Sequence, residues 1–344
     1  SHARSVAIHG HAADVARPRV PGPAVVRMSP PAVEEQHRPR RIGGLAISTE
    51  PTEPTRPAEV PDSRPMPHVL DRWSRSFWRL AGRAVDLDGA DSWLDAPVSA
   101  TARVGGGWLD VEAAARGWTL DRGGPEAGLL PSMAALDGPG FDSAQLRPAI
   151  RDFYEHTAAW DMEVWSSWSP VVWPAGELVA RLYARRVEQL ALPMRPLDVA
   201  HGMDSQVTVV RDGAGEQVAA AWVRTLRSNG RHVFSGSYAT RTLPRADRPS
   251  IHVTFPLESG NVQVFLRPSV TKDGGLRLES PCGGFGQDGA YVVVREGRDV
   301  AARVPLHETF HVYVDGRGVL RTDHELRVGR LSAVRLHYRL ERAS

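Results

Sequence analysis

After His201 the sequence breaks into short segments rich in Val, Leu, Phe, Tyr and Thr, separated by turn residues such as Asp212-Gly213, Asn229-Gly230, Asp273-Gly274-Gly275 and Asp315-Gly316. The segments cover 205–211, 216–227, 231–243, 250–257, 261–271, 275–280, 290–295, 300–304, 307–315, 318–328 and 331–341. Within them apolar residues recur at alternate positions, which is strand periodicity, and the short connections demand hairpins. About ten hairpin-linked strands make an antiparallel sheet that curls into a barrel or folds into a sandwich. The strand-helix-strand spacing of a parallel nucleotide-binding sheet is absent.

Upstream of this region the character is different. Residues 1–67 carry twelve of the 27 prolines and no aromatic residue, so they cannot bury enough surface to offset chain entropy and read as a disordered tail. Between 68 and 200 the pattern is Trp-rich and mainly helical. Val69, Leu70, Trp73, Phe77 and Leu80 fall at helical spacing opposite Arg72, Arg75 and Arg79, a stripe suited to packing on the domain or to lying in a membrane interface. Residues 82–142 are irregular, with short helices expected at 111–118 and 129–136. Asp142 with Gln145 resembles a capping box and Pro148 suits a first turn, so a helix is expected over about 147–164. Another follows over about 174–192. Together these readings give an α+β fold in which a large antiparallel β-barrel or strongly curved sheet (201–344) is covered by the Trp-rich segment (68–200), with the tail at 1–67.

Composition narrows the function classes. At 344 residues the chain has room for about two folded units. Its formal net charge of +2 supplies no field that would hold nucleic acid. Among the basic residues Lys272 is the lone lysine, a sign of codon bias more than of phosphate binding. One cysteine, Cys282, excludes an internal disulfide and a thiolate zinc site. No apolar run is long enough to cross a bilayer as a helix, and the first ten residues lack the pattern of a signal peptide, so a cytoplasmic location is expected.

Two motifs invite chemical readings that their context weakens. His307-Glu308-Thr309-Phe310-His311 fits the HExxH pattern of zinc peptidases, which requires a helix to bring both histidines to one metal. Here Phe310, Val312 and Val314 alternate with His311 and Tyr313, and in a strand residues four apart stand roughly 13 Å apart. Cys282 lies in the loop Pro281-Cys282-Gly283-Gly284-Phe285-Gly286, where no neighbouring histidine offers a base. Asp152, Glu155 and His156 on the helix read either as an acid/base group at a cavity mouth or as a solvated face. No metal and no cofactor is expected.

Polar residues on apolar strand faces carry more information. His324 shares its face with Leu320, Thr322, Leu326 and Val328, Arg224 with Ala220, Trp222 and Leu226, and Tyr238 with His232 and Phe234. His324, Tyr238 and Arg224 pointing into an apolar interior form either a group that orients or protonates a ligand or a hydrogen-bonded core network. Trp160, Trp165 and Trp168, with Trp222 and Phe234, supply either a ring-lined wall for an apolar ligand or packing that seals the sheet.

The order Pro148-Ala149-Ile150-Arg151-Asp152-Phe153-Tyr154-Glu155-His156, a Trp-rich turn, a helix through Ala180 to Leu192 and a long antiparallel sheet closing on Leu336 to Leu340 resembles uncharacterised proteins of bacterial genomes. The resemblance spans about 129–342 and implies no activity. The expectation is therefore a binder of a hydrophobic small molecule or lipid between sheet and helices, with peripheral membrane contact open to it. The alternatives are a cofactor-independent isomerase, cyclase or hydratase in the same cavity, and an interaction module using the tail and the Trp-rich face.

Overall fold

The computed structural model describes residues 69–101, 104–169 and 202–343, which fall within one compact unit spanning 64–344. The expected tail at 1–67, Trp173 and the expected helix at 174–192 lie outside the described residues. The described helices are α1 (Val69–Ala81), α2 (Trp108–Arg116) and α3 (Pro148–Glu155), with short 3-10 turns at Ser92–Leu94, Met133–Leu136, Ser143–Gln145 and Thr157–Ala159. The strands preceding the long sheet region are β1 (Arg83–Ala84), β2 (Thr119–Asp121) and β3 (Trp160–Trp168). Then come β4 (Met203–Arg211), β5 (Gln217–Leu226), β6 (His232–Arg241), β7 (Ser250–Leu257), β8 (Gly260–Val270) and β9 (Leu276–Glu279). The last five are β10 (Gly289–Glu296), β11 (Arg298–Val304), β12 (Leu306–Val314), β13 (Leu320–Val328) and β14 (Leu331–Arg342).

Each segment expected from the alternation after His201 is a strand, and the turn chemistry shows why the breaks fall where they do. In the β12–β13 hairpin the Asp315 carboxylate accepts from the backbone N–H groups of Arg317 and Val319, and Gly318 turns the chain at φ 81°. A side chain other than glycine is strained at that angle.

All strand pairs are antiparallel, and the ladder runs β2-β4-β5-β6-β7-β8-β9-β12-β13-β14-β3. Its end strands do not pair with each other, so the sheet is not a closed barrel. β8 forks: Gly260–Phe265 pairs with β10, which leads on to β11 and β1, whereas Arg267–Val270 pairs with β9. The sheet still bends far enough to bring its wings together, since Arg224 of β5 reaches Met162 of β3 at 2.9 Å. Inward side chains of β3 to β9 and β12 to β14 share one core cluster with Ile150, Phe153 and Tyr154 of α3 and with Leu129, Leu130, Met133 and Leu136. We call this the concave face.

The helix expected over 147–164 is shorter than its pattern implied. Asp142 does cap, but it caps the Ser143–Gln145 turn, accepting from Ala144 N–H at 3.0 Å. Pro148 then opens α3, which ends at Glu155. From Trp160 onward the chain is β3, paired in register with β14 from Arg342↔Trp160 to Val334↔Trp168. Trp160, Met162, Val164 and Trp168 alternate onto the concave face, so period two and the ladder offered by β14 override the helical reading. The expected helix at 129–136 is likewise reduced to the Met133–Leu136 turn.

Two further layers cover the opposite face. Leu87, Trp93 and Leu94 pack on Phe265, Tyr291 and Val293 of β8 and β10. Trp108 and Leu109 of α2 pack on Val210, Ala219 and Ala221, with the Trp108 indole N–H donating to Ser235 Oγ at 2.8 Å. Strand polar groups under this cover find partners: Gln263 donates to Leu94 O and Asn261 to Ala96 O and Pro97 O. Such pairing is what keeps buried amides from destabilising the layer.

Candidate functional site

The concave face is mostly apolar, and one cation is buried in it. Arg224, on β5 between Trp222 and Leu226, is 7% exposed, with its guanidinium carbon 4.8 Å from the Trp222 ring, 5.3 Å from Phe234 and 5.7 Å from Tyr338. The ring faces recover part of the lost hydration. One Nη donates to the Met162 sulfur, while Nε is buried without a partner. Among the described residues no carboxylate stands within ion-pair distance of this cation.

Around it lie groups that hold or donate protons. Burial drives the Tyr154, Tyr238 and Tyr338 phenols above their ordinary range, so all three stay neutral donors. The Glu308 carboxylate acts on Tyr238 and Tyr338, raising both further, and Arg224 opposes it. Glu308 shares the face of Leu306, Phe310 and Val312 on β12, and its Oε2 is 3.5 Å from Nε2 of His324 on β13. The His324 ring stacks on Phe310, centroids 3.8 Å apart. Neither imidazole nitrogen has a hydrogen-bond partner. The side chains of Glu308 and His324 keep 13% and 11% exposure, but both imidazole nitrogens are shut off from solvent. Trp160, Met162, Trp168, Phe234, Tyr238, Phe310 and Leu326 are likewise only partly buried on this face.

The structure therefore brings Arg224, Tyr238, His324, Trp222, Phe234, Trp160 and Trp168 to one concave face. Trp165 is the exception. It stands between inward neighbours on β3 and so points outward, 47% exposed, tilted over His337 at 5.8 Å. A single wall of Trp160, Trp165 and Trp168 is thus split by strand alternation. Trp222 is anchored by donation to Ser205 Oγ at 2.7 Å and Trp160 by donation to Asp152.

Three members of the cluster, Tyr154, Glu308 and Tyr338, stand outside the set expected from the sequence. Glu308 has a legible signal: counting back in twos from Phe310 places it on the apolar face. Tyr338 has the same signal between Leu336 and Leu340. Tyr154 comes from α3, and only the docking of that helix brings it there.

The HExxH sequence lies in β12, with Glu308 inward and both histidines outward. His307 contacts Cys282 and His311 stacks on Tyr313, so they serve different neighbours. No histidine neighbours Cys282 in the sequence, but the fold brings one from 25 residues away, His307, with Nε2 3.2 Å from Sγ. On α3, Asp152 lies at ion-pair distance from His156 and accepts from Trp160 and Arg342, and Glu155 accepts from Ser132 and Met133, which makes this group an anchor for the helix. On the outer face a cleft of about 500 Å³ is lined by Trp165, His311, Asp323 and His337, with His337 Nδ1 2.7 Å from Asp323 Oδ1. Among the described residues no cluster of metal-binding side chains is present, and no helix is long and apolar enough to cross a membrane.

No protein-family model and no solved structure matches the chain. It is similar to a protein of Bacillus subtilis (strain 168) described as "Uncharacterized membrane protein YndJ", with 24% identity over 218 residues, or 62% of this chain and 38% of that protein. The chain thus spans well under half the length of that relative, and the similarity is to a protein whose own role is uncharacterised.

Proposed function

We propose that the concave face binds a hydrophobic small molecule or lipid that carries an anionic head. The observation that carries this reading is Arg224: a guanidinium 7% exposed, ringed by Trp222, Phe234 and Tyr338, with one N–H unpartnered and no carboxylate at ion-pair distance among the described residues. A buried cation is costly unless it is paired, and a carboxylate or phosphate on a ligand supplies that pair while the surrounding rings receive the apolar body. The partly buried state of Trp160, Trp168, Phe234 and Phe310 supports the same reading. The membrane description of the Bacillus subtilis relative favours a lipid over a soluble aromatic compound. We place the protein in the cytoplasm, where its one thiol stays reduced, with membrane contact limited to its surface.

Native mass spectrometry of the full chain, followed by organic extraction and by titration with oleate and with uncharged oleyl alcohol, tests the proposal. Oleate binding that weakens about tenfold in Arg224→Met, with oleyl alcohol unaffected, is the expected result. Equal binding of both ligands, unchanged by the substitution, or binding of neither, overturns it.

A second reading rests on the Glu308–His324 contact of 3.5 Å beside three neutral tyrosines. A carboxylate next to an imidazole otherwise without partners suits proton transfer, and a cofactor-independent isomerase, cyclase or hydratase uses that chemistry. Turnover of an extracted ligand, lost in His324→Ala while binding persists, distinguishes it from carriage alone.

A further inference from the structure

A second site lies on the opposite side of the sheet, in the loop from Ser280 to Asp288 that joins β9 to β10. The loop is held in shape. Arg303 donates to the carbonyls of Pro281, Gly284 and Asp288, and the Tyr291 hydroxyl donates to Gln287 O. Cys282 at its tip is exposed, with Sγ 3.2 Å from Nε2 of His307. His307 Nδ1 lies 3.1 Å from the Ser280 carbonyl. A carbonyl only accepts, so Nδ1 carries the proton and Nε2 presents its lone pair to the thiol. That is the tautomer a base needs.

Beside the thiol opens a cleft of about 480 Å³ lined by Pro281, Cys282, Asp288 and three arginines, Arg245, Arg248 and Arg267. Arg245 and Arg267 are exposed at its rim. Arg248 is 6% exposed, and one Nη donates to Pro268 O at 2.7 Å while its Nε and other Nη have no partner. Asp247 and Asp288 also line the cleft, and Asp288 accepts from Ser250 Oγ at 2.6 Å, so the guanidiniums outnumber the carboxylates by three to two. A buried guanidinium with two unfilled donors calls for an acceptor.

We propose that Cys282 and His307 form a reactive thiol site for a small carboxylate-bearing disulfide, whose carboxylate pairs with Arg248 in the cleft. His307 Nε2 takes the thiol proton, and the Cys282 sulfur forms a bond to one sulfur of the disulfide. The original S–S bond breaks with its electron pair, and the departing thiolate takes the proton back from His307 and leaves as a thiol. Cys282 ends oxidised as a mixed disulfide and the departing half is reduced, so no further oxidant is needed.

Because Cys282 is the single cysteine, the full chain gives an unambiguous readout. The probes are 5,5′-dithiobis(2-nitrobenzoate), which carries two carboxylates, and uncharged 4,4′-dithiodipyridine, each compared with N-acetylcysteine amide as the small-thiol reference. The anionic-to-neutral rate ratio in the protein is expected to exceed the reference ratio about tenfold, and to collapse in Arg248→Gln. Arg267→Gln, at the exposed rim where folding is not at stake, lowers the ratio several-fold, and about 0.5 M NaCl does the same. His307→Gln slows both probes while keeping the ratio. A ratio equal to the reference, or one unmoved by both arginine substitutions, overturns the anionic cleft, and unchanged rates in His307→Gln overturn the role of the imidazole.

Discussion

The imidazole of His252 lies flat against the ring of Phe265, centroids 4.3 Å apart and planes 3° from parallel, under the layer that covers the outer face of β7 and β8. Its Nε2 is 2.8 Å from Gln263 Oε1 and 3.1 Å from Thr254 Oγ1. Burial above all, and the Arg241 charge next, hold its pKa down at about 3. The unfolded chain, titrating near the ordinary 6.5, therefore binds a proton that the folded one refuses. Stability from this group is whole above pH 6.5 and is lost progressively as the pH falls toward 3. Between pH 7 and pH 5 the loss is about 2 kcal/mol. Urea midpoints at the two pH values should show it in the wild type, and His252→Gln should flatten that slope. Identical slopes in the two proteins would show that His252 does not carry the effect.

Trp222 and Trp165 predict opposite outcomes for the same substitution. Trp222 is 6% exposed, hydrogen-bonded to Ser205 and edge-on to Phe234 and Tyr238, so Trp222→Ala should cost about 3–5 kcal/mol. Trp165 faces outward, and Trp165→Ala should cost less than about 1 kcal/mol. Thermal melts of the pair check the assignment of faces, and a larger loss for Trp165 would invert it.

The HExxH residues predict no shared zinc. His307 and His311 sit four apart on one face of β12, roughly 13 Å between them, with Glu308 on the other face. After equilibration with zinc and gel filtration, metal content should be the same in the wild type, His311→Ala and Glu308→Gln. Stoichiometric zinc lost in both variants would refute this.

Gly260 opens β8 where it runs against β10, and a Cβ built there would lie 2.2 Å from the Val293 carbonyl oxygen. The obstacle is backbone, so it cannot step aside as a side chain would. Gly260→Ala should destabilise the chain by more than about 2 kcal/mol, read as a fall in urea midpoint. A near-neutral substitution would mean that the two strands can separate locally without cost.

Much of the sheet is legible because strand alternation is local. The pattern through Leu320, Thr322, His324 and Leu326 places His324 inward from β13 alone, and Ala220, Trp222 and Arg224 do the same for β5. β3 is less legible, because Trp160 to Trp168 follows directly on a helical pattern and contains both periods at once. The neighbour that selects period two is β14, which lies more than 160 residues further along the chain. Trp165 is misread for the same reason, since density of tryptophans says nothing about which face each one takes.

The antiparallel strands after His201, their hairpin turns and the inward faces of β5, β6 and β13 are written locally, because all of these follow from period-two alternation and from the backbone demands of Asp and Gly in turns. What meets what is set by long-range packing. That packing left the ladder open, forked β8 between β9 and β10, set Glu308 beside His324 and Tyr338 beside Arg224, and brought His307 to Cys282. Those contacts depend on strand order and on the bend of the sheet, which arise from burial of the whole concave face and leave no trace in any single segment.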